Sequence, residues 1–242
     1  MTFIDISKRK NAEAAVAQLA YYDALTGLPN RSLLNARLEE AILAGQSKNH
    51  PLAFLLMDLD RFKEINDTLG HRHGDTILKQ VGDRIQKILR PPDTISRLGG
   101  DEFAILLPRL AAVEDIDLVL KKILDALDAP FRIEGIPIAE DIPIAVEVSI
   151  GIAFYPQHGE QAEGLMQCAD VALYAAKRGG SPYAIYSPDK DRYRPRRLAL
   201  IGGIRQAIAS NAFFLHYQGT WPRRACVFPS TTSARAIPLS VP

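Results

Sequence analysis

The chain has few of the residues that stabilise folds through disulfides or metals. Its 242 residues include two cysteines and five histidines. Cys168 and Cys226 lie far apart without metal-ligand spacing, and among the histidines only His71 and His73 are close together. The sequence therefore argues against a disulfide framework and against a zinc site, and it favours a reducing compartment.

Net charge and long apolar runs are equally scarce. The formal net charge of +1 leaves no electrostatic footprint for DNA, RNA or an anionic membrane surface. No apolar run approaches the length of a membrane span, and the N-terminus lacks the apolar region of a signal peptide. We therefore expect a cytoplasmic protein with no nucleic-acid partner and no membrane segment in this chain.

Glycine and carboxylates meet in one short stretch, Gly99, Gly100, Asp101 and Glu102. Residues 94–98 before it and 103–107 after it have the apolar patterns of two paired strands. Two adjacent glycines permit positive φ angles and let the backbone approach a ligand closely. The pattern predicts a hairpin with two acids at its tip, which by itself is also typical of a solvated turn.

The rest of the pattern alternates between helices and strands. The apolar run 52–57 predicts a strand that is buried on both faces, and the alternation over 145–154 predicts another strand. Amphipathic helices are predicted over 74–89, 113–127 and 165–177, and Asn30 is predicted to cap a helix that reaches Leu43. The fold class is therefore α/β (α+β), a central mixed sheet flanked by helices.

Asp58 gives the hairpin a chemical meaning. It ends the predicted strand 52–57, at the edge of an open sheet where ligands commonly bind. If the hairpin lies beside this strand, Asp58 and Asp101 face each other and need a cation between them. Mg²⁺ with phosphate oxygens is the usual solution, and two such ions clamp an in-line phosphoryl displacement. Lys63 and Lys177 would then neutralise the phosphates.

Each of these residues also has a purely structural interpretation. Carboxylates at strand ends are mostly solvated, and Lys63 is typical of a surface lysine whose stem covers apolar neighbours. Asn66 and Asp75 offer the amide and carboxylate that a guanine edge needs, but Asp75 could equally cap a helix that starts at Gly74. Arg90 lies at a predicted helix C-terminus, where a cation is favourable whatever the function.

Four segments occur in an order that decides between these interpretations. They are residues 23–31 (Asp-Ala-Leu-Thr-Gly-Leu-Pro-Asn-Arg), residues 58–67 (Asp-Leu-Asp-Arg-Phe-Lys-Glu-Ile-Asn-Asp), Gly70-His71 with Gly74-Asp75, and Gly99 to Phe103. Together they resemble the GGDEF domain of diguanylate cyclases, roughly from Tyr21 to Ser187. The resemblance implies a palm-like nucleotidyl-cyclase fold and the condensation of two GTP molecules into cyclic di-GMP with release of pyrophosphate.

The resemblance also implies which residues carry the chemistry. Asp58, the carbonyl of Leu59 and Asp101 would hold Mg²⁺ or Mn²⁺, and Glu102 would share the second ion. Asp101 would help to deprotonate the attacking 3′-hydroxyl, and Lys63 would stabilise charge in the transition state. The implied substrate-binding positions are Asn66 and Asp75 for guanine, His71, Gly99 and Gly100 around the nucleotide, and Lys177 for the triphosphate.

Product control and dimerisation follow from the same resemblance. Arg90 and Asp93 occupy the positions of the family's inhibitory Arg-x-x-Asp site, so cyclic di-GMP is expected to be both product and inhibitor. A domain of this kind binds one GTP, and the product has two symmetry-related phosphodiester bonds, so two protomers are expected to face each other as a homodimer. Ser181 stands where the family usually has Arg, which implies weaker GTP binding.

The remaining segments complete a division into four parts. Residues 1–20 resemble the end of a PAS sensor and a signalling helix with an apolar stripe at coiled-coil spacing. Residues 21–190 are expected to form the GGDEF-like domain, and residues 191–218 resemble the truncated start of an EAL phosphodiesterase domain. Residues 219–242 are predicted to be disordered, and a frameshift or truncation is our hypothesis for them. No phosphodiesterase activity is expected.

Two classes of function remain open on the sequence. An active cyclase is favoured because the acids, the lysines and the guanine-reading positions are all present. The alternative is a catalytically weak module that senses GTP or holds cyclic di-GMP at Arg90 and Asp93. A third interpretation is a palm-like nucleotidyl cyclase or polymerase for another nucleotide, which would differ only at Asn66 and Asp75.

Overall fold

The computed structural model of the chain describes residues 18–48, 50–110, 112–131 and 144–191, and gives no side-chain account of residues 48, 190 and 191. All of these residues belong to the unit Met1–Arg194. Most of the predicted PAS-like segment lies outside the described residues. The same holds for almost all of the EAL-like segment and for the whole predicted tail. Residues 18–21, at the end of the predicted signalling helix, are helical.

Helices and strands alternate along the described part. The helices are α1 (Arg31–Lys48), α2 (Phe62–Leu69), α3 (His71–Ile88), α4 (Ile116–Asp128), α5 (Ala162–Gly179) and α6 (Pro188–Asp191), with a 3₁₀ turn at Val113–Asp115. The strands are β1 (Leu52–Leu59), β2 (Thr94–Gly99), β3 (Glu102–Leu107), β4 (Val148–Tyr155) and β5 (Tyr183–Ile185). The predicted hairpin is β2–β3.

One sheet of five strands organises the described residues, in the order β2-β3-β1-β4-β5. The central strand β1 is antiparallel to both β3 and β4, and the edge strand β5 runs parallel to β4. The sheet is therefore mixed, which confirms the predicted fold class. The register places Asp58, near the end of β1, opposite Glu102 on one side and Ser149 on the other.

The apolar run of β1 is explained by burial on both faces of the sheet. Ala53, Leu55 and Met57 belong to a core that includes residues of α3 and α4. Leu52 and Phe54 belong to a second core that includes residues of α1 and α5. A strand that contacts helices on both sides loses the apolar–polar alternation of a half-exposed strand.

Several element boundaries differ from the predictions, among them the starts of α3, α4, β4 and α5. Helix α3 begins at His71 with Gly70 at its N-cap, so the predicted start at Gly74 is wrong and the alternative interpretation of Asp75 as a helix cap is excluded. The helix predicted from Val113 begins as a 3₁₀ turn and becomes α-helical at Ile116. Strand β4 starts at Val148 rather than at 145, because its partner β1 ends at Leu59 and Leu59 pairs with Val148.

The predicted cap of α1 is confirmed. Asn30 Oδ1 accepts hydrogen bonds from the backbone N–H groups of Ser32 at 2.9 Å and Leu33 at 3.2 Å. These bonds satisfy donors that the first turn of a helix leaves without intrahelical partners. None of the described helices combines the length and the apolar character that crossing a membrane requires.

Helix α5 lies so close to β4 that the contact needs a glycine. A Cβ atom at Gly151 would collide with the carbonyl of Ala169 and with the backbone of Leu173. Both colliding groups are backbone of α5, so no side-chain rotation relieves the overlap. This contact fixes the height of α5 over the sheet, and α5 carries Lys177.

We expect Gly151→Ala to destabilise the fold by about 2–4 kcal/mol, because α5 must move away from β4 to admit the methyl group. Gly164→Ala is the matched control, since nothing lies within 4 Å of a Cβ at this position of α5. The control should be neutral or stabilising by up to about 1 kcal/mol. Urea unfolding measures both, and equal stabilities of the two variants would contradict the close-contact interpretation.

Candidate active site at the ends of β1 and β3

The sheet register brings the acids of two distant motifs together. Asp58 lies opposite Glu102 in the β1–β3 pair, and the backbone N–H of Leu59 donates to the carbonyl of Asp101 at 3.3 Å. Asp101 itself occupies the turn between β2 and β3. The structure therefore places Asp58, Leu59, Asp101 and Glu102 in one group at the same edge of the sheet.

Asp58 is held in an electrostatically unfavourable place. Burial raises its pKa above the ordinary aspartate value, and the negative charges of Asp101 and Asp60 raise it further. The ion pair with Lys177, at 2.6 Å from Nζ to Oδ1, opposes this shift. The side chain of Asp58 is 15% exposed. The end of β1 therefore favours an additional positive charge near its carboxylates.

The turn that carries Asp101 leaves open space beside it. Gly99 and Gly100 have φ angles of 141° and 55°, in the range that favours glycine, and the β2–β3 register shifts between Arg97 and Gly99. A Cβ atom at either glycine would meet nothing within 4 Å. The glycines are therefore required by the backbone conformation of the turn, and they add no bulk next to the acids.

Arg97 braces this turn against the loop that precedes α1. Its Nη1 lies 3.0 and 3.1 Å from the two carboxylate oxygens of Asp23. Its Nε and Nη2 donate to the carbonyl of Gly100 at 3.1 and 2.7 Å. Thr26 also donates to Asp23, through its backbone N–H at 2.8 Å and its hydroxyl at 2.6 Å. One guanidinium thus joins residues 23–26 to the residue before Asp101.

No pattern in the sequence indicates this role for Arg97. Asp23 belongs to the first of the four family segments, but nothing in the sequence indicates which cation meets it. Burial alone would raise the pKa of Asp23, yet the hydrogen bonds from Thr26 and the contact with Arg97 together hold it below the ordinary value. The ionised carboxylate is therefore the form that this contact stabilises.

The remaining substrate-binding candidates lie on the two helices after β1. Asn66 on α2 is half-buried, and a Cβ at Gly74 of α3 would collide with its side-chain amide. Lys63, His71 and Asp75 are exposed on the same helix pair. These four residues therefore lie on two consecutive helices that follow the end of β1 directly in the chain.

The acidic group fits a divalent ion that also binds a phosphate ligand. Among the described residues, no set of three or more His, Cys, Asp and Glu side chains is arranged to hold a metal by itself. Mg²⁺ is usually held by one or two carboxylates together with waters and substrate phosphates. The carboxylates of Asp58 and Asp101, together with backbone carbonyls at this edge, match that incomplete donor set.

A cavity of about 760 Å³ opens beside this edge of the sheet. It is lined at the ends of β1, β4 and α5 by residues that include Asp60, Arg61, Ser149, Lys177 and Ser181. Of the candidate residues named from the sequence, Lys177 alone lines it within the described part of the chain. Ser149 Oγ donates to the carboxylate of Asp60 at 2.9 and 3.0 Å, which holds that side chain against β4.

Arg90 and Asp93 lie in a different cavity, of about 580 Å³, at the start of β2. Arg90 Nη2 donates to the carbonyl of Arg109 at 2.8 Å, and its Nε lies 3.6 Å from Asp93 Oδ2. The other oxygen of Asp93 is buried without a hydrogen-bond partner. Burial raises the pKa of Asp93, and Arg90 offsets this only in part. The cavity thus presents an exposed guanidinium beside a polar atom that lacks a partner.

Comparison with known proteins identifies the family. The family described as "Diguanylate cyclase, GGDEF domain" matches residues 20–182, which is more than half of the chain. The chain belongs to the GGDEF family. The match includes β1, the β2–β3 hairpin and the helices between them, so the acidic group lies within the family domain.

Several curated relatives share this domain. The chain is 40% identical over 172 residues to the diguanylate cyclase TpbB of Pseudomonas aeruginosa, a match that covers 71% of this chain and 38% of TpbB. It is 38% identical over 208 residues to the bifunctional diguanylate cyclase/cyclic di-GMP phosphodiesterase MucR of the same species, covering 86% of this chain and 29% of MucR. The chain therefore spans about a third of the length of these relatives.

Solved structures agree with the fold. A GGDEF-domain structure of TpbB from P. aeruginosa matches with a TM-score of 0.67 at 38% identity, over 72% of this chain and 98% of that one. The coiled coil and GGDEF domain of DgcB from Caulobacter crescentus, in complex with c-di-GMP, matches with a TM-score of 0.65 at 29% identity. That match covers 75% of this chain and 93% of the DgcB chain.

The brace at Arg97 leads to a prediction about the GGDEF turn. Asp23→Asn should destabilise the fold by about 1–3 kcal/mol, because Arg97, whose side chain is 10% exposed, loses its charged partner. Because the pKa of Asp23 is lowered in the folded protein, its ionised carboxylate stabilises the fold fully at pH values above the ordinary aspartate pKa of about 3.9. The variant lacks this stabilisation. The difference between wild type and variant should therefore shrink as the pH falls below that value.

A double-mutant cycle provides the measurement and its control. Urea unfolding at neutral pH of Asp23→Asn, Arg97→Gln and the double variant gives the coupling free energy between the two side chains. We expect a coupling of at least about 1 kcal/mol. Additive effects of the two substitutions would show that the contact does not stabilise the turn.

Proposed function

We propose that this chain is a diguanylate cyclase, which condenses two GTP molecules into cyclic di-GMP and releases pyrophosphate. The observation that carries the proposal is the group at the end of β1, where Asp58, Asp101 and Lys177 meet. Two acids and a lysine, from β1, the β2–β3 turn and α5, supply metal-binding and phosphate-binding groups at one place. Membership of the GGDEF family supports this reaction over other phosphoryl transfers.

Different residues of the chain have different roles in this reaction. Asp58, the carbonyl of Leu59 and Asp101 would hold Mg²⁺ or Mn²⁺, and the bound ion would supply positive charge for the attacked phosphate and the attacking 3′-oxygen. Asp101 accepts the proton of the 3′-hydroxyl, and Glu102 lies beside it. Lys63 and Lys177 bind the triphosphate and stabilise charge in the transition state.

Substrate selection belongs to the helix pair after β1. Asn66 presents an amide and Asp75 a carboxylate, the two group types that complement the guanine edge. His71 lies in the first turn of α3, on the same helix pair. The open turn at Gly99 and Gly100 leaves room for the sugar and phosphates. A pyrimidine or an adenine edge presents a different donor pattern to Asn66 and Asp75, so GTP is the proposed substrate.

Each domain binds one GTP, so turnover needs a homodimer in which two sites face each other. Cyclic di-GMP also binds at Arg90 and Asp93, where it inhibits the enzyme. The exposed guanidinium and the unpartnered oxygen of Asp93 support this second role. The DgcB structure with c-di-GMP shows that a relative binds this product. We place the reaction in the cytoplasm.

The two terminal segments of the chain resemble parts of other domains. The matched length with MucR, 208 residues, exceeds the GGDEF domain, which is consistent with an EAL-like start after residue 190. The resemblance of residues 1–20 to a PAS end and a signalling helix stays a prediction. Both segments lie almost entirely outside the described residues, and we assign no phosphodiesterase activity to the chain.

Product identification after incubation with GTP and Mg²⁺ tests the proposed reaction. Wild type should form cyclic di-GMP, and Asp101→Asn should lower the rate by at least about 100-fold, because it removes a metal-binding oxygen charge and the proton acceptor. Asp83→Asn removes an exposed acid of α3 and is the matched control, with a rate close to wild type. GTP binding without any cyclic dinucleotide would instead support the alternative, a GTP-sensing or cyclic di-GMP-binding module.

Product inhibition gives a separate prediction. Arg90→Ala should raise the concentration of cyclic di-GMP that half-inhibits the cyclase by at least about 10-fold, because a charge-assisted contact to phosphate is lost. Initial rates of GTP consumption at increasing added product measure this concentration. An unchanged inhibition curve would remove Arg90 from the inhibitory site and leave the proposed reaction standing.

A further inference from the structure

The backbone conformation at position 61 does not favour an arginine. It lies between β1 and α2 with a φ angle of 56°, and among the described residues it alone of the non-glycines has a positive φ. Its carbonyl accepts hydrogen bonds from Glu64 at 2.9 Å and Ile65 at 3.4 Å, so this conformation starts α2. A Cβ atom is disfavoured here, and glycine or asparagine would fit the backbone better.

Arg61 is exposed and lines the cavity of about 760 Å³. Arg61 and Lys177 are the two basic residues among the described residues that line this cavity. Four acids, Asp60, Asp125, Asp128 and Glu147, line it as well. An anion in this cavity is therefore attracted to Arg61 and Lys177 and repelled by these carboxylates.

Lys177 alone is a weak counter-charge for a triphosphate. Its Nζ already pairs with Asp58 at 2.6 Å. Ser181, one turn beyond it in the same cavity wall, has no charge, and its hydroxyl donates to the carbonyl of Tyr183 at 2.8 Å. A further cation in the cavity would strengthen binding of the phosphate end of a nucleotide, and Arg61 is the other basic residue that lines it among the described residues.

We propose that Arg61 binds the terminal phosphates of the nucleoside triphosphate and sets the preference of this site for a triphosphate over a monophosphate. The proposal rests on the proposed function, because it assumes that the phosphates lie at the end of β1. The planar guanidinium donates two parallel hydrogen bonds to a phosphate, which a single lysine ammonium does not. Arg61 in this way takes the place of a cation at Ser181.

Equilibrium binding of 3′-deoxy-GTP and of GMP, each with Mg²⁺, tests this inference. The deoxy nucleotide lacks the attacking hydroxyl, so it binds without being consumed. In Arg61→Gly, which suits the left-handed backbone, we expect about 10-fold weaker binding of 3′-deoxy-GTP and less than about 2-fold change for GMP. The affinity of Arg61→Lys for 3′-deoxy-GTP should lie between those of Arg61→Gly and wild type, because lysine keeps the positive charge but lacks the two parallel N–H donors of the guanidinium.

Two further variants separate direct contact from other effects. Arg178→Ala removes a positive charge next to Lys177 from a residue that does not line the cavity, and it should change the binding ratio less than about 2-fold. Ser181→Arg in the Arg61→Gly background should restore part of the preference for the triphosphate. Thermal unfolding of Arg61→Gly should show no loss of stability, which separates a binding role from a structural one.

Different experimental results would overturn the role of Arg61 and the proposed cyclase reaction. Equal weakening of 3′-deoxy-GTP and GMP in Arg61→Gly, or an effect no larger than that of Arg178→Ala, overturns the inference even if the wild type forms cyclic di-GMP. If the triphosphate preference depends on Arg61 but the wild type forms no cyclic dinucleotide from GTP, the inference is supported and the proposed cyclase activity is overturned.

Discussion

The antiparallel pairing of β1 with β3 is the interaction on which the site depends. It sets Asp58 opposite Glu102 and lets Leu59 donate to the carbonyl of Asp101, so two motifs about forty residues apart in the chain share one edge. A slip of one residue would turn Asp58 to the other face of the sheet, away from Lys177. Burial of β1 on both faces makes that slip costly, because it would exchange two different cores.

The site combines a rigid support with an electrostatic conflict. Arg97 ties the GGDEF turn to residues 23–26, so the turn is held from the side of α1. At the same edge, burial and neighbouring acids raise the pKa of Asp58, and Lys177 compensates only in part. Such an arrangement is less stable alone than with bound cations and phosphates, which is the usual relation between stability and function at active sites.

Much of the fold was predictable because its signals are local. The unbroken apolar run of β1, the hairpin glycines and the Asn30 cap each require a nearby pattern, and the structure has all three. The errors are at boundaries. Helix α3 starts at His71 rather than at the predicted Gly74, because no local signal distinguishes the two starts, and this excludes the alternative of Asp75 as a helix cap. The start of β4 depends on where its partner β1 ends, which is a non-local fact.

The sequence by itself determined the family, the order of the elements and the identities of the acids, because these follow from residue types and spacing along the chain. Only the tertiary structure decided which groups meet. It joined Asp58 to Lys177, Asp23 to Arg97, and Arg61 to the cavity beside Ser181. Each of these relations links residues from separate elements, and their distances depend on sheet register and helix packing, which spacing along a chain does not encode.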